Sequence, residues 1–239
     1  IIPSRLNAER LPNKPLKLIN KKEMILHVYD AAKNSNVGEV IVATPDKKIF
    51  DLIKTHNGLA VLTSDKHETG TDRVFEVFER ELKSMPEIII NFQGDMPNLK
   101  PQSIKDLSAH MKKNLCDIST LASDIENNNE KKDPNIVKVL VDNDIKNKSF
   151  AKAVDFFRIS NEPLNKFTYH HVGIYAFTSK SLLRYVSLDR SKLEKSRKLE
   201  QLRANEDKMK IDVGYIDECP LSVDTEADFV AIKKEMENK

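Results

Sequence analysis

Strand-length apolar runs alternate with helix-spaced segments through the first hundred residues, and few folds satisfy that order. Strand-like runs occupy 1–3, 39–44, 59–63 and 87–92, while 24–34, 47–55 and 72–83 carry apolar residues at helical spacing. Parallel neighbours need a crossover long enough to hold a helix, so a βαβαβαβ order implies a mainly parallel sheet covered by helices on both faces. The pattern changes after a helix expected over 101–113. Residues 117–123, 136–141, 151–157 and 169–178 read as strands with few helices between them, which implies antiparallel additions and a protruding lobe. Helix returns at 179–185 and 192–205, strand at 210–217, and a last helix at 226–237, while the asparagine-rich stretch 124–133 reads as a surface loop.

At 239 residues the chain is expected to form one α/β domain. A net charge of +2, with Lys and Glu interspersed, argues against a nucleic-acid partner. No run reaches the roughly 20 apolar residues of a membrane span, and no signal peptide is visible, so a cytoplasmic location is expected. The chain begins inside an apolar run, so the first strand is expected to start upstream of Ile1. Cys116 and Cys219 form neither a CxxC pair nor a zinc spacing and are expected to be free thiols. Only nine of the 39 basic residues are Arg, and six glycines stand where average usage gives roughly 17. Arg offers a rigid fork and Gly backbone room, so the segments that keep them merit scrutiny.

Asp95 in the QGD triplet 93–95 and Asp224 in the VDT triplet 223–225 each follow an apolar strand-like run. Two carboxylates at strand ends suit Mg²⁺, which takes one or two carboxylates beside substrate phosphates. For Asp224 the competing reading is an N-cap of the last helix. The loop 4–14 holds Arg5, Arg10 and Lys14, stiffened by Pro12 and followed by Pro15. Three cations beside a strand end suit a triphosphate, or make an ordinary basic loop. Neither a GxGxxG nor a GxxxxGK[ST] pattern is present, which argues against an NAD-linked oxidoreductase and a P-loop enzyme. In the segment 67–73, which ends in Arg73, Thr69, Gly70 and Thr71 sit just ahead of a helix start, where they can hold a base or ribose, or where Thr71 with Asp72 caps the helix. Alternation along 169–177 puts His171, Gly173 and Tyr175 on one face, suited to a polyhydroxy ligand or left exposed. Glu194 and Gln201 fall on one side of the helix expected over 192–205, with Glu200 and Arg203 nearby, and read as a solvated face.

The segments IIPSRLNAERLPNKPL, HETGTDR, NFQGDMP, PNIVKVLV, HHVGIYAF, LEQLR and SVDTEADF, in this order, resemble the 3-deoxy-manno-octulosonate (Kdo) cytidylyltransferases. The resemblance covers nearly the whole chain. It implies a nucleotide-diphospho-sugar transferase-like three-layer α/β sandwich with a mixed, mainly parallel sheet and a small antiparallel lobe within 117–178 that makes a homodimer. It also implies activation of an acid sugar for lipopolysaccharide synthesis: the anomeric hydroxyl attacks the α-phosphorus of CTP and pyrophosphate leaves, with Mg²⁺ as cofactor. Carried over by position, Arg5, Arg10 and Lys14 become triphosphate contacts, Thr69, Gly70, Thr71 and Arg73 the cytidine pocket, and Asp95 and Asp224 the Mg²⁺ ligands. Arg5, Lys14, Asp95 and Asp224 form the catalytic set. Gln93, Arg158, His171, Tyr175, Glu200 and Gln201 become the Kdo site, with Arg158 facing the sugar carboxylate.

Three departures stand out. The family's QGDEP reads QGDMP, LPGKP reads LPNKP, and Phe157 replaces a serine before Arg158. These leave an amino-substituted octulosonate open as the sugar. The rival readings are a sialic-acid-type cytidylyltransferase and a nucleotide-binding regulator without turnover.

Overall fold

The first strand, β1 (Ile2–Pro3), pairs in parallel with β4 (Ile41–Thr44), Ile2 opposite Val42, and β4 pairs in parallel with β5 (Leu59–Leu62). The computed structural model describes residues 1–7, 10–82, 85–113, 116–147, 149–160 and 163–237, divided into two compact units. The first unit comprises 1–85, 91–105 and 220–239, and the second 86–90 and 106–219.

The parallel strands of the first unit alternate with α1 (Met24–Ser35), α2 (Lys47–Thr55) and α3 (Gly70–Glu81), as the hydrophobic spacing predicts. All four residues of β4 are buried, the pattern of a strand covered on both faces. Ile41, Ala43 and Val77 make one small core with Ile1, Val61 and Leu82 packed against it. A second core joins Leu11 and Met24 to Val223, Phe229 and Ile232, the latter two from the closing helix α9 (Glu226–Glu237). Leu11 and Val223 therefore anchor the basic loop and the VDT segment on one apolar cluster.

Two elements here were not expected. Leu18–Ile19 (β2) and Lys22–Glu23 (β3) form a short hairpin whose turn residues Asn20 and Lys21 both have positive φ, 50° and 62°. That is the geometry of a type I′ turn, made without glycine. Across the described residues no glycine has positive φ; asparagines and lysines hold every left-handed position. Asn13, with φ 57°, is one of them, and it stands where the family pattern LPGKP has glycine. Asparagine tolerates this region better than most side chains, so residue 13 takes a left-handed conformation without glycine.

The second unit is built on a six-stranded mixed sheet, in the order β6 (Ile88–Phe92), β10 (Thr168–Thr178), β7 (Ile118–Ser123), β11 (Ile211–Tyr215), β9 (Phe150–Phe157), β8 (Lys138–Val141). β11 runs parallel to β7, while β10–β7, β10–β8, β11–β9 and β8–β9 are antiparallel. These are the antiparallel additions expected after residue 117. The helix expected over 101–113 is α4 (Pro101–Met111), and α6 (Ser179–Ser187) follows β10.

Two expectations change. The stretch 124–133 contains α5 (Asn128–Lys132), because Asn127 caps it by accepting from the backbone N–H groups of Asn129 and Glu130. The single helix expected over 192–205 is broken into α7 (Lys192–Arg197) and α8 (Leu202–Glu206), where Lys198 turns left-handed at φ 55°. Glu194 and Gln201 therefore do not share one helix side, and neither lies on a solvated face: both are buried.

Candidate functional site

The loop that follows β1 is held by backbone and side-chain bonds rather than by helix or sheet. Ser4 N–H donates to the Ala43 carbonyl at 2.9 Å, Leu6 N–H to the Asp46 carboxylate at 2.8 Å, and Asn13 N–H to the Leu6 carbonyl at 3.1 Å. Asp46, which the sequence did not single out, thus clamps the loop from the end of β4. Lys14 then opens a 3-10 turn, Lys14–Leu16, with Pro15 second in it, and the Lys14 side chain is only 13% exposed.

The Lys14 ammonium lies 3.1 Å from Asp224 Oδ1 and 3.5 Å from Asp95 Oδ2. The two carboxylates meet because Val223 N–H donates to the Asp95 carbonyl at 2.9 Å, laying the VDT segment along the QGD segment. Arg10 adds a 3.0 Å pair to Asp224 on the exposed side. Asp224 is not the cap of α9. Thr225 and Asp228 form that cap: Thr225 Oγ1 accepts from Asp228 N–H, and Asp228 Oδ2 accepts from the N–H groups of Asp224 and Thr225. The Asp224 carboxylate is left to face the cations. Burial raises the Asp95 carboxyl above its ordinary value, with Lys14 opposing the shift and the Asp224 charge adding to it. Two carboxylates converging on one cation form an all-oxygen donor set of the kind that suits Mg²⁺.

A cleft of about 620 Å³ opens here, within the size range of small-molecule sites. Arg5, Arg10, Lys14, Thr69, Gly70, Arg73, Gln93, Asp95 and Asp224 line it, with His67 and Glu68 in addition to the residues foreseen. Its walls follow the carboxyl ends of β1, β5 and β6, the position where α/β sheets bind ligands. Thr69, not Thr71, caps α3: its hydroxyl accepts from Asp72 N–H at 3.1 Å, and the Asp72 carboxylate accepts from Thr69 N–H at 3.2 Å. Thr71 is instead buried and accepts from Asn91 Nδ2 at 3.1 Å. Arg73 is buried too; its guanidinium bonds Thr63 Oγ1 and, at 2.8 Å, the Ser64 carbonyl, so its first task is to hold the wall. Burial, and then the charge of Arg5, pull the Arg73 guanidinium below its ordinary value.

Of the six expected sugar contacts, Gln93 lines this cleft and the other five belong to the second unit. Arg158 borders a separate hollow of about 460 Å³ with Phe157, Ile159 and Arg197, and donates to the carbonyls of Pro134 and Asn135 at 3.1 and 3.0 Å. Lys138, buried within β8, steadies the same segment by donating to the carbonyls of Asp133, Ile136 and Arg158. His171 and Tyr175 are both buried, with ring centroids 5.5 Å apart; the register of β10 against β7 shifts between Val172 and Tyr175, so strict alternation fails there. His171 Nε2 bonds Thr120 Oγ1 at 3.0 Å, and burial lowers the imidazole to about 3. Burial, and then the charge of Glu200, push the Tyr175 hydroxyl well above its ordinary value. Gln201 is buried beside the Glu200 turn, whose carbonyl accepts from Tyr185 Oη at 2.9 Å. Arg203 forks onto Glu194 at 2.8 and 2.7 Å, a buried pair in place of the solvated face expected.

Neither Cys116 nor Cys219 is joined in a disulfide. Among the described residues one trio has metal-ligand types within 4.8 Å of one another: His110, Cys116 and Asp212. His110 Nε2 pairs with Asp212 Oδ2 at 2.8 Å, and burial together with the Asp212 charge pushes the Cys116 thiol up to about 12. The trio is a hydrogen-bonded group around one carboxylate.

The sequence model of a family described as cytidylyltransferase matches residues 1–211. The 3-deoxy-manno-octulosonate cytidylyltransferase of Paramagnetospirillum magneticum is 40% identical over 230 residues, covering 95% of this chain and 93% of that protein. The protein of the same name from Bartonella bacilliformis is 38% identical over 235 residues, covering 98% and 96%. A solved structure of CMP:2-keto-3-deoxy-manno-octonic acid synthetase complexed with CTP superposes with a TM-score of 0.88 at 35% identity, over 99% of this chain and 97% of that one. A 4-diphosphocytidyl-2C-methyl-D-erythritol synthase from Anaerococcus prevotii, at 13% identity and TM-score 0.66 over 99% and 96%, shares the fold. The strand-end carboxylates, the basic loop and these likenesses agree: the chain belongs to the cytidylyltransferase family, and within it to the 3-deoxy-manno-octulosonate cytidylyltransferases.

Proposed function

We propose that the protein transfers the cytidylyl group of CTP to 3-deoxy-manno-octulosonate, giving CMP-Kdo and pyrophosphate. The observation that carries this reading is the convergence of Asp95 and Asp224 on the Lys14 ammonium at the floor of a cleft edged by Arg5 and Arg10. In this reading Arg5, Arg10 and Lys14 neutralise the triphosphate, and Thr69, Gly70 and Arg73 wall the cytidine, while Thr71, expected beside them, is buried behind the wall on Asn91. Asp95 and Asp224 hold Mg²⁺, which when bound lowers the pKa of the attacking hydroxyl and stabilises charge on the α-phosphate. Gln93, Arg158, His171, Tyr175, Glu200 and Gln201 serve the acid sugar, Arg158 its carboxylate. No side chain acts as a nucleophile, so catalysis is positioning and charge neutralisation.

The same reading has the enzyme in the cytoplasm, feeding lipopolysaccharide synthesis, and acting as a homodimer through the antiparallel strands of the second unit. No helix among the described residues is long and apolar enough to cross a membrane, and Val154 on β9 and Ile159 beyond it are exposed apolar side chains. Pyrophosphate release from CTP and Mg²⁺ tests the reaction, with Kdo, sialic acid and no sugar in parallel. Release with Kdo alone is expected. Release with sialic acid instead, or with neither sugar in a folded protein that binds CTP, overturns the choice of sugar.

A further inference from the structure

Asn91 is the one polar side chain in the apolar run of β6, and it is 0% exposed. An amide buried so completely is costly unless its donors and acceptor are used. Both ends are used. Asn91 Nδ2 donates to Thr71 Oγ1 at 3.1 Å, and Asn91 Oδ1 accepts from Gln93 Nε2 at 2.9 Å. Gln93 is also confined from the other side. A Cβ built on Gly70 would stand 2.9 Å from Gln93 Nε2 and 3.0 Å from its Oε1, so the Gln93 amide lies directly against the first residue of α3. The capping box of Thr69 and Asp72 fixes where that helix starts.

We infer that Asn91 is a positioning residue: it acts through Gln93, fixing which face of that amide meets the acid sugar. With one Nε2 hydrogen committed to Asn91, Gln93 offers the cleft one acceptor, Oε1, and one remaining N–H. That pair matches a sugar hydroxyl, which both donates and accepts. Without the tether the amide can turn over about its last torsion and offer two donors instead, a mismatch at the same position. The inference rests on the reading of Gln93 as a sugar contact.

A double-mutant cycle tests it. Asn91→Leu, near in size but without hydrogen-bonding atoms, Gln93→Ala and the double variant are assayed for kcat and for KM with Kdo, alongside CTP affinity and thermal unfolding. Asn91→Leu is expected to raise the KM for Kdo about fivefold, the worth of one hydrogen bond, with a smaller change in CTP affinity. The double variant is expected to match Gln93→Ala, because nothing is left for Asn91 to position. An Asn91→Leu effect that persists undiminished on the Gln93→Ala background marks a structural role and overturns the inference. Raised KM in Gln93→Ala beside an unaffected Asn91→Leu overturns the positioning role alone. Unchanged KM in Gln93→Ala overturns the sugar contact and the positioning role with it. Asn91→Ala replaces the leucine variant, with the same outcomes, if leucine prevents folding.

Discussion

Lys14 and Asp224 are 210 positions apart in sequence, yet the ammonium of one lies 3.1 Å from the carboxylate of the other. Neither residue belongs to a sheet ladder. Leu11 and Val223 carry them into place by packing in one apolar cluster.

Asp95 is the less exposed member of the carboxylate pair, its side chain 25% exposed against 46% for Asp224, and its replacement separates function from stability. Asp95→Asn is expected to reduce turnover at least ~100-fold, since metal-assisted charge stabilisation is worth several kcal/mol. Its effect on stability has the opposite sign. The folded carboxyl is raised above 3.8, so ionising it costs folding free energy as pH climbs from 3.8 through the folded value. The amide removes that cost. The variant is expected to melt at or above the wild-type temperature at pH 7, and the difference to close as pH falls towards 3.8. Calorimetry at several pH values beside the pyrophosphate assay checks both signs; a fully active variant removes Asp95 from the catalytic set.

Gly70→Ala presses on Gln93 without touching any charge. The new methyl meets the end of a flexible side chain, which can swing aside, and alanine is the better helix former at the first position of α3. Stability is expected to hold or rise slightly, while the KM for the acid sugar rises about fivefold through the displaced amide. Unchanged steady-state kinetics, measured beside melting curves, would mean that Gln93 can leave its place without consequence.

Glu194 and Arg203 make a buried ion pair with two short hydrogen bonds, each side chain about 5% exposed. Arg203→Met leaves the Glu194 carboxylate without its fork and is expected to cost about 3 kcal/mol in urea unfolding. Adding Glu194→Gln should recover much of the loss, because the uncompensated charge goes. A single variant as stable as the wild type would contradict the burial of this pair.

The legible parts of the molecule were those with a repeating or paired signal. Helical spacing located α1 to α3, and three cations after a strand end pointed to the cleft. For Asp224 and Thr71 the sequence left two readings open, because a carboxylate or hydroxyl before a helix suits a cap as well as a ligand. The structure separates them by giving the caps to Thr225 and Thr69. Asn91 sat in plain view in NFQGDMP, but one amide in an apolar strand has no periodicity to betray what it bonds. The break at Lys198 and the turn at Asn20–Lys21 were hidden because left-handed lysine has no compositional signature, unlike glycine.

His171 gives the chain an acid sensitivity that its position on β10 makes traceable. Burial holds the imidazole neutral down to about 3 in the folded protein, against an ordinary value of 6.5. Between those values the unfolded chain binds a proton that the folded chain does not, so stability is complete above 6.5 and is lost progressively as pH falls towards 3. The neighbouring charge of His170 acts in the same direction. His171→Gln can keep a bond to Thr120 Oγ1 while removing the titration. The variant is therefore expected to show a flatter dependence of melting temperature on pH between 6.5 and 3 than the wild type, whatever its stability at pH 8. Parallel slopes in that window would show that the folded imidazole accepts its proton as readily as the unfolded one.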